Sequence, residues 1–195
     1  MTERDGDSRE RLIEGTRELL WDRGYVGTSP TAILRRSGVG QGSMYHHFQG
    51  KPDLVLAAEE RSAVQMQQQV RDTFAGPGTA YQRIRDYLVR ERDVLRGCSV
   101  GRLTADPEIM ADERLREPVR ETFAVLHECL VAAVEQGRAT GEFDARLDPA
   151  HTASALAAVL QGGYALARAE RSAEPFERAI QGALELLRVA MPGTE

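Results

Sequence analysis

The sequence predicts an all-α protein, and three observations carry that expectation. Apolar residues recur at three- and four-residue spacing through nearly the whole chain, so successive stretches each have one apolar face. The breaks between stretches are helix punctuation, with Ser-Pro or Asp-Pro at starts and Gly at ends. No alternating apolar–polar run of strand length occurs, and no internal repeat of fixed period. The pattern resolves into about nine helices: an N-terminal three-helix head over residues 1–50 and a larger C-terminal helical bundle over 51–195.

The first helix carries Leu12, Thr16, Leu19 and Leu20 on one face. Ser8 is its expected N-cap, with Arg11 at the capping-box position, and Gly24 its stop. Ser29-Pro30 opens the second, which runs through Ile33 and Leu34 to Gly38. After the tract Val39-Gly40-Gln41-Gly42, Ser43 to Phe48 makes a very short third helix, closed by Gln49-Gly50. Lys51-Pro52-Asp53-Leu54 opens a long fourth helix reaching about Phe74, with Val55, Ala58, Met66, Val70 and Phe74 along one side. Gly76-Pro77-Gly78 breaks the chain. A fifth helix is expected from Thr79 to about Arg96, with Tyr81, Ile84, Leu88 and Leu95 on one face. A short sixth begins near Asp106-Pro107. Pro118 is expected to start a seventh, which carries Phe123, Leu126, Leu130 and Val134 and ends near Gly137. Asp148-Pro149 opens an eighth, to about Ala169. The ninth covers about Ala173 to Met191, with Phe176, Ile180, Leu184 and Leu187.

With 195 residues, 42% hydrophobic and 28% charged, the chain has a globular composition. No apolar run reaches the roughly 18 residues of a membrane span. The charged segment Met1 to Glu10 lacks the apolar stretch of a signal peptide, so a cytoplasmic location without a membrane partner is expected. Cys98 and Cys129 are too few for a disulfide framework or a zinc spacing and are expected to be reduced thiols. A net charge of −5 excludes a chain coated in basic charge. The stretch from Thr28 to Leu54 is nevertheless net positive, with Arg35, Arg36 and Lys51 against Asp53. Lys51 is the only lysine; the other 24 of the 25 basic residues are arginine.

Nothing in the sequence argues for catalysis. Nucleophile-elbow, phosphate-loop and His-Glu-x-x-His patterns are absent. His127 and Cys129, two apart on a helix, face different ways. His46 and His47 are adjacent, so their side chains diverge by about 100° and share one ion poorly. Neither catalytic residues nor a metal nor a cofactor is expected.

Residues 30–48 have the mechanics of a helix-turn-helix: two short helices, a glycine-containing turn, and a second helix too short to be stable alone. In such units the second helix enters the DNA major groove, and its N-terminal residues meet base edges. Gln41, Ser43 and His46 are the polar side chains placed to do so, while Gly40 and Gly42 let the backbone approach phosphate closely.

Over about residues 8–54 the chain resembles the TetR family of bacterial transcriptional regulators. The resemblance is carried by Gly24-Tyr25, Thr28-Ser29, Ile33, Gly38-Val39, Gly42-Ser43-Met44-Tyr45-His46-His47-Phe48 and Lys51. It implies a homodimer on a double-stranded, palindromic DNA operator, each subunit joining a DNA-binding head to a body that binds a small apolar or amphipathic effector. It implies phosphate contacts from Thr28, Ser29, Tyr45 and Lys51. Gln41, Gly42 and Ser43 fall at the groove-facing start of the recognition helix, with His46 near the backbone or a base edge. Val39 and Phe48 fall at core positions. Gly40 departs from the pattern, since Ser or Thr commonly caps that helix, and Pro52 is a less usual successor to Lys51.

By the same resemblance, the fourth to seventh helices would enclose the effector, and the last two would pair across a dimer axis. Met66, Val70, Phe74, Tyr87, Cys98, Leu103, Phe123, His127 and Leu130 are the pocket candidates. Two apolar stripes, Leu156, Val159, Leu160, Gly163 and Ala167 on the eighth helix and Ile180, Ala183, Leu184 and Leu187 on the ninth, are the dimer candidates; one protomer's own core could also absorb them. The resemblance further implies repression relieved by effector, a population shift in the spacing of the two heads. The alternative is a helical adaptor that has kept the fold but binds a protein partner.

Overall fold

The computed structural model describes residues 3–192, and side chains from residue 6 onward. Among the described residues there are nine α-helices and no strand. They are α1 (Glu3–Arg23), α2 (Pro30–Ser37), α3 (Gln41–His47), α4 (Lys51–Ala75), α5 (Ala80–Val89), α6 (Pro107–Ala111), α7 (Glu113–Ala139), α8 (Pro149–Glu170) and α9 (Glu174–Val189); a 3-10 turn spans Gly101–Ala105.

Four boundaries differ from the sequence pattern, each for a local reason. Helix α1 begins well before Ser8, and Arg11 pairs with Asp7 one turn back at 3.2 Å instead of sitting at a cap. Helix α3 begins two residues early, because the Gly40 carbonyl accepts from both Ser43 and Met44 N–H. Helix α5 stops at Val89 rather than near Arg96: the Arg92 side chain folds back, donating to the carbonyls of Tyr87 (2.5 Å) and Arg90 (3.1 Å). Leu95, expected on a buried face, is exposed. Helix α7 begins at Glu113, capped by Asp112, whose carboxylate accepts from Arg114 N–H at 2.9 Å, and it runs on through Pro118.

The chain divides into two compact units. Among the described residues, those up to 65 and 98–122 form the first, and 66–97 with 123–192 the second, so α4 and α7 each contribute to both. The first unit closes around Leu12, Ile13, Leu20, Ile33, Met44, Leu54 and Val55, all buried, where α1 packs on α2 and α3. The 3-10 turn and α6 add Leu103 and Ile109.

In the second unit α8 packs along α9, and α5 also meets α9. The start of α5 is doubly capped: Thr79 and Gln82 form a capping box, and both Glu142 carboxylate oxygens accept backbone N–H, from Ala80 (2.8 Å) and Tyr81 (2.9 Å). Glu142 is brought there by the reversal after α7. Gly141 adopts φ 76°, and the N–H groups of Glu142 and Phe143 return to the Gly137 carbonyl. This seats the fully buried Phe143 ring against α7, where a Cβ on Gly137 would lie 2.2 Å from a ring carbon.

Gly137→Ala is therefore expected to destabilise the protein by about 1–3 kcal/mol through overpacking, although alanine is the better helix former. Urea denaturation measures it; a stabilised variant would show that Phe143 can move aside.

Candidate nucleic-acid interface

The α2–α3 segment is built from its caps inward. Ser29 Oγ accepts the Ala32 N–H at 3.2 Å, and Pro30 occupies the first turn of α2. Gly38, at φ 64°, ends α2 in the left-handed conformation that lets the chain turn sharply. Helix α3 has only seven residues and no side-chain cap at Gly40. Buried Val39, Met44 and Phe48 fix it from beneath.

That anchoring decides which side chains face out. Gln41, Gly42, Tyr45 and His46 are exposed, Tyr45 at 55%, while Ser43 is half-buried. Ser29 is exposed as well; its oxygen takes the Ala32 N–H, which leaves the hydroxyl hydrogen to donate outward. Thr28 is different. It is fully buried, its hydroxyl donating to the Gly24 carbonyl at 2.7 Å and its N–H to Tyr25 at 3.1 Å. Lys51 is half-buried, with Nζ 2.7 Å from the Tyr25 carbonyl and 3.6 Å from the centre of the Tyr25 ring. Burial pulls its pKa below the ordinary value, an effect that Asp106 and Glu108 oppose.

Two further arginines of this unit are exposed. Arg9 is exposed, and its guanidinium lies 5.4 Å from the Phe48 ring at the end of α3. Sequence reasoning passed over it because nothing in the α1 pattern ties position 9 to α3. Arg35 is exposed on α2 and forms no ion pair among the described residues, whereas Arg36 is compensated by Glu18 (3.3 Å) and Asp22 (3.4 Å).

One carboxylate joins the corner between α1 and α2 to α6. Asp106 accepts the Tyr25 N–H at 2.7 Å with one oxygen and caps α6 at Glu108 N–H with the other. Arg102 donates to the Trp21 carbonyl at 2.5 Å. Beneath lies Glu59 on α4, only 2% exposed, with no hydrogen-bond partner for either oxygen. Burial, then the like charges of Asp106, Asp112 and Glu60, push its carboxyl up to about 8.

The expected pocket residues divide between the two units. Cys98 and Leu103 belong to the first, with Cys98 Sγ accepting from Gly101 N–H. Met66, Val70, Phe74, Tyr87, Phe123, His127 and Leu130 belong to the second. There Val70, Tyr87 and Leu130 are buried, the Phe74 and Tyr87 rings sit 5.5 Å apart, and His127 Nε2 lies 3.3 Å from Ser154 Oγ. Of the expected dimer residues, Leu156, Leu160, Gly163, Ala167, Ile180, Ala183, Leu184 and Leu187 are buried within this single chain, and only Val159 is half-exposed. Their stripes hold α8 to α9. Exposed instead are Leu166, Leu186 and Val189, which sequence periodicity did not single out.

Comparison with known proteins matches residues 12–58 to the family described as bacterial regulatory proteins, tetR family, and residues 79–183 to the tetracyclin repressor-like C-terminal domain. The chain is 28% identical to the HTH-type transcriptional regulator LmrA of Bacillus subtilis, over 88% of this chain and 92% of that one. It is 27% identical to the HTH-type transcriptional repressor NemR of Escherichia coli, over 89% and 90%. Among solved structures, a TetR transcriptional regulator from Chloroflexus aurantiacus superposes with a TM-score of 0.85 at 26% identity, covering 97% of this chain and 98% of that one.

Glu59 gives the first unit a pH dependence. The stabilisation it contributes as a neutral acid is fully present below its ordinary pKa of 4.5 and is lost as pH rises to about 8. Across that window stability is expected to fall with a slope of up to about 1.4 kcal/mol per pH unit. In Glu59→Gln, which mimics the neutral acid, that slope is expected to vanish. Denaturation at roughly pH 5, 7 and 9, within and just beyond that window, compares the two proteins; parallel profiles would remove Glu59 as the cause.

Proposed function

The chain belongs to the tetR family of bacterial regulatory proteins and is a DNA-binding transcriptional regulator, and we propose that it is a homodimeric, effector-released repressor of the cytoplasm. In this reading residues 1–50 dock a palindromic operator, and residues 51–195 carry the effector and the dimer contact. The observation that carries it is the outward edge of α3, where Gln41, Gly42, Tyr45 and His46 are exposed above buried Met44 and Phe48. Gln41 and Ser43 read base edges, Gln suiting adenine, and the Tyr45 hydroxyl, Ser29 and His46 hold phosphates. Lys51 keeps one N–H on the Tyr25 carbonyl and turns its others to phosphate. Thr28 acts by shaping the entry to α2, since its hydroxyl is already engaged.

For the dimer we propose the exposed side of the α8–α9 pair. Ala155, Val159, Gly162 and Leu166 share one face of α8, and Ala179, Gly182, Leu186 and Val189 one face of α9. A Cβ on Gly162 or Gly182 would meet nothing within 4 Å, so this face admits a second copy closely. Effector binding then shifts the spacing of the two heads away from the roughly 34–36 Å of successive major grooves, with a typical coupling of about 1–3 kcal/mol.

Selection of genomic fragments with purified protein, refolded free of bound ligand, is expected to return a palindrome bound at about 10⁻⁸ M or tighter, with affinity falling steeply as salt rises. Enrichment of no fragment would favour the adaptor reading. On the selected site, Gln41→Ala should cost about 1–3 kcal/mol and relax preference at one base step. Tyr45→Phe should weaken all sequences alike, by several-fold. Unchanged affinity in both would place the contact surface elsewhere.

Leu186→Glu is expected to give monomers in sedimentation velocity, with loss of operator binding and helicity preserved, because it buries an unpaired charge at the contact. A dimer of unaltered affinity would move the interface off this face.

A further inference from the structure

Two cavities of the second unit differ in charge. One, of about 310 Å³, is bordered by Arg90 and Arg92 but also by Glu91 and Glu177, so its wall is balanced. The other, of about 280 Å³, lies among the end of α4, the start of α5 and the latter half of α7. Arg71 and Arg83 border it together with Phe74, Cys129, Ala133 and Gln136, and no carboxylate lines it.

Neither guanidinium forms an ion pair among the described residues. Arg83 donates to the neutral Gln136 Oε1 at 2.5 Å, and its Nε–H is buried without an acceptor. Cys129 adds no opposing charge, because burial raises its pKa and keeps the thiol neutral, with Arg71 opposing that shift. The Phe74 ring, braced at 5.5 Å by Tyr87, and Ala133 supply an apolar wall. The volume is near the lower end of ligand sites, which run from about 300 to 1,000 Å³.

We infer that this cavity is the effector site and that it takes a small monoanion with an apolar body, an aromatic carboxylate, its charge held by Arg71 and Arg83 and its ring laid against Phe74. A planar guanidinium meets a carboxylate with two parallel hydrogen bonds, which an uncharged ligand of the same outline cannot match. The inference rests on reading residues 51–195 as the effector-binding part and names the ligand class for it. Of the pocket residues expected from sequence, Phe74 alone borders this cavity.

Full-length protein without DNA is titrated calorimetrically with 2-naphthoate and with 2-naphthamide, which share shape and differ in charge. Naphthoate is expected to saturate one site per chain and bind at least about tenfold more tightly. In Arg71→Gln/Arg83→Gln the preference should disappear. If that variant fails to fold, the wild type still decides the matter: saturating naphthoate should slow iodoacetamide alkylation of Cys129 several-fold and leave Cys98 unchanged, read peptide by peptide. Absent or equal binding of the two probes, an unprotected Cys129, or a preference that survives in the variant would each overturn the assignment. Because no DNA is present, such a failure stands apart from a failure of operator binding, which the Gln41 and Tyr45 titrations read.

Discussion

A seven-residue helix does not hold its shape in water: forming the first turn fixes several residues for a single hydrogen bond, and there is little length over which to recover that cost. Helix α3 is such a helix, and Gly40 denies it a side-chain cap. What keeps it helical is the burial of Met44 and Phe48, with Val39 sealing the turn before it. The same anchoring sets its rotation, because a helix with its buried side pinned has no choice about the opposite side. The arrangement of Gln41, Gly42, Tyr45 and His46 toward solvent therefore follows from packing, not from any property of those residues themselves. An element so short needs a packed floor beneath it, and the buried residues of the first unit supply one.

Single polar groups hold the edges of that floor. The Asp106 carboxylate binds the Tyr25 N–H and caps α6 at once, so the α1–α2 corner and α6 share one anchor. Gly24 must be small for this, since a Cβ there would come within 2.9 Å of the Asp106 carboxylate, at a residue already at φ 69°. Arg102 occupies the Trp21 carbonyl in the same region. Arg92 does the equivalent in the second unit, taking the Tyr87 carbonyl and ending α5. Arginine suits this use, because its fork of N–H donors can occupy more than one carbonyl, as Arg92 does with those of Tyr87 and Arg90.

Much of this was legible in the sequence, and the exceptions arise where a side-chain contact overrides the apolar pattern. Ser29-Pro30, Gly38 and Asp148-Pro149 mark α2 and α8 as the structure has them, because caps act within four residues. The seven-residue spacing of Leu88 and Leu95 looks helical, yet α5 stops at Val89 because an arginine from beyond the helix claims its carbonyls, a contact no periodicity records. Pro118 reads as a start, yet α7 begins at Glu113 because Asp112 supplies the cap. Site residues follow the same division. The exposed edge of α3 could be read from spacing. That Arg9 stands beside Phe48 and that the α8 and α9 stripes close on each other within one chain depend on partners in other helices; Thr28 turns inward on a purely local contact, its hydroxyl taken by the Gly24 carbonyl four residues back, which apolar periodicity does not register. Glu59 was passed over entirely, since a glutamate on a long helix looks like any solvated charge until its neighbours are known.

The chain contains one lysine, and it lies at the edge of the candidate DNA face, half-buried against the Tyr25 ring. Side-chain amine chemistry thus has a single address here. Burial lowers the proton affinity of that amine, which raises the share of the neutral, nucleophilic form at mildly alkaline pH, while the aromatic ring beside it restricts access. An acyl group placed on Lys51 would remove its positive charge and leave a single amide N–H where the ammonium has three donors. Immobilising or tagging the protein through its lysine therefore alters the very corner that carries α2.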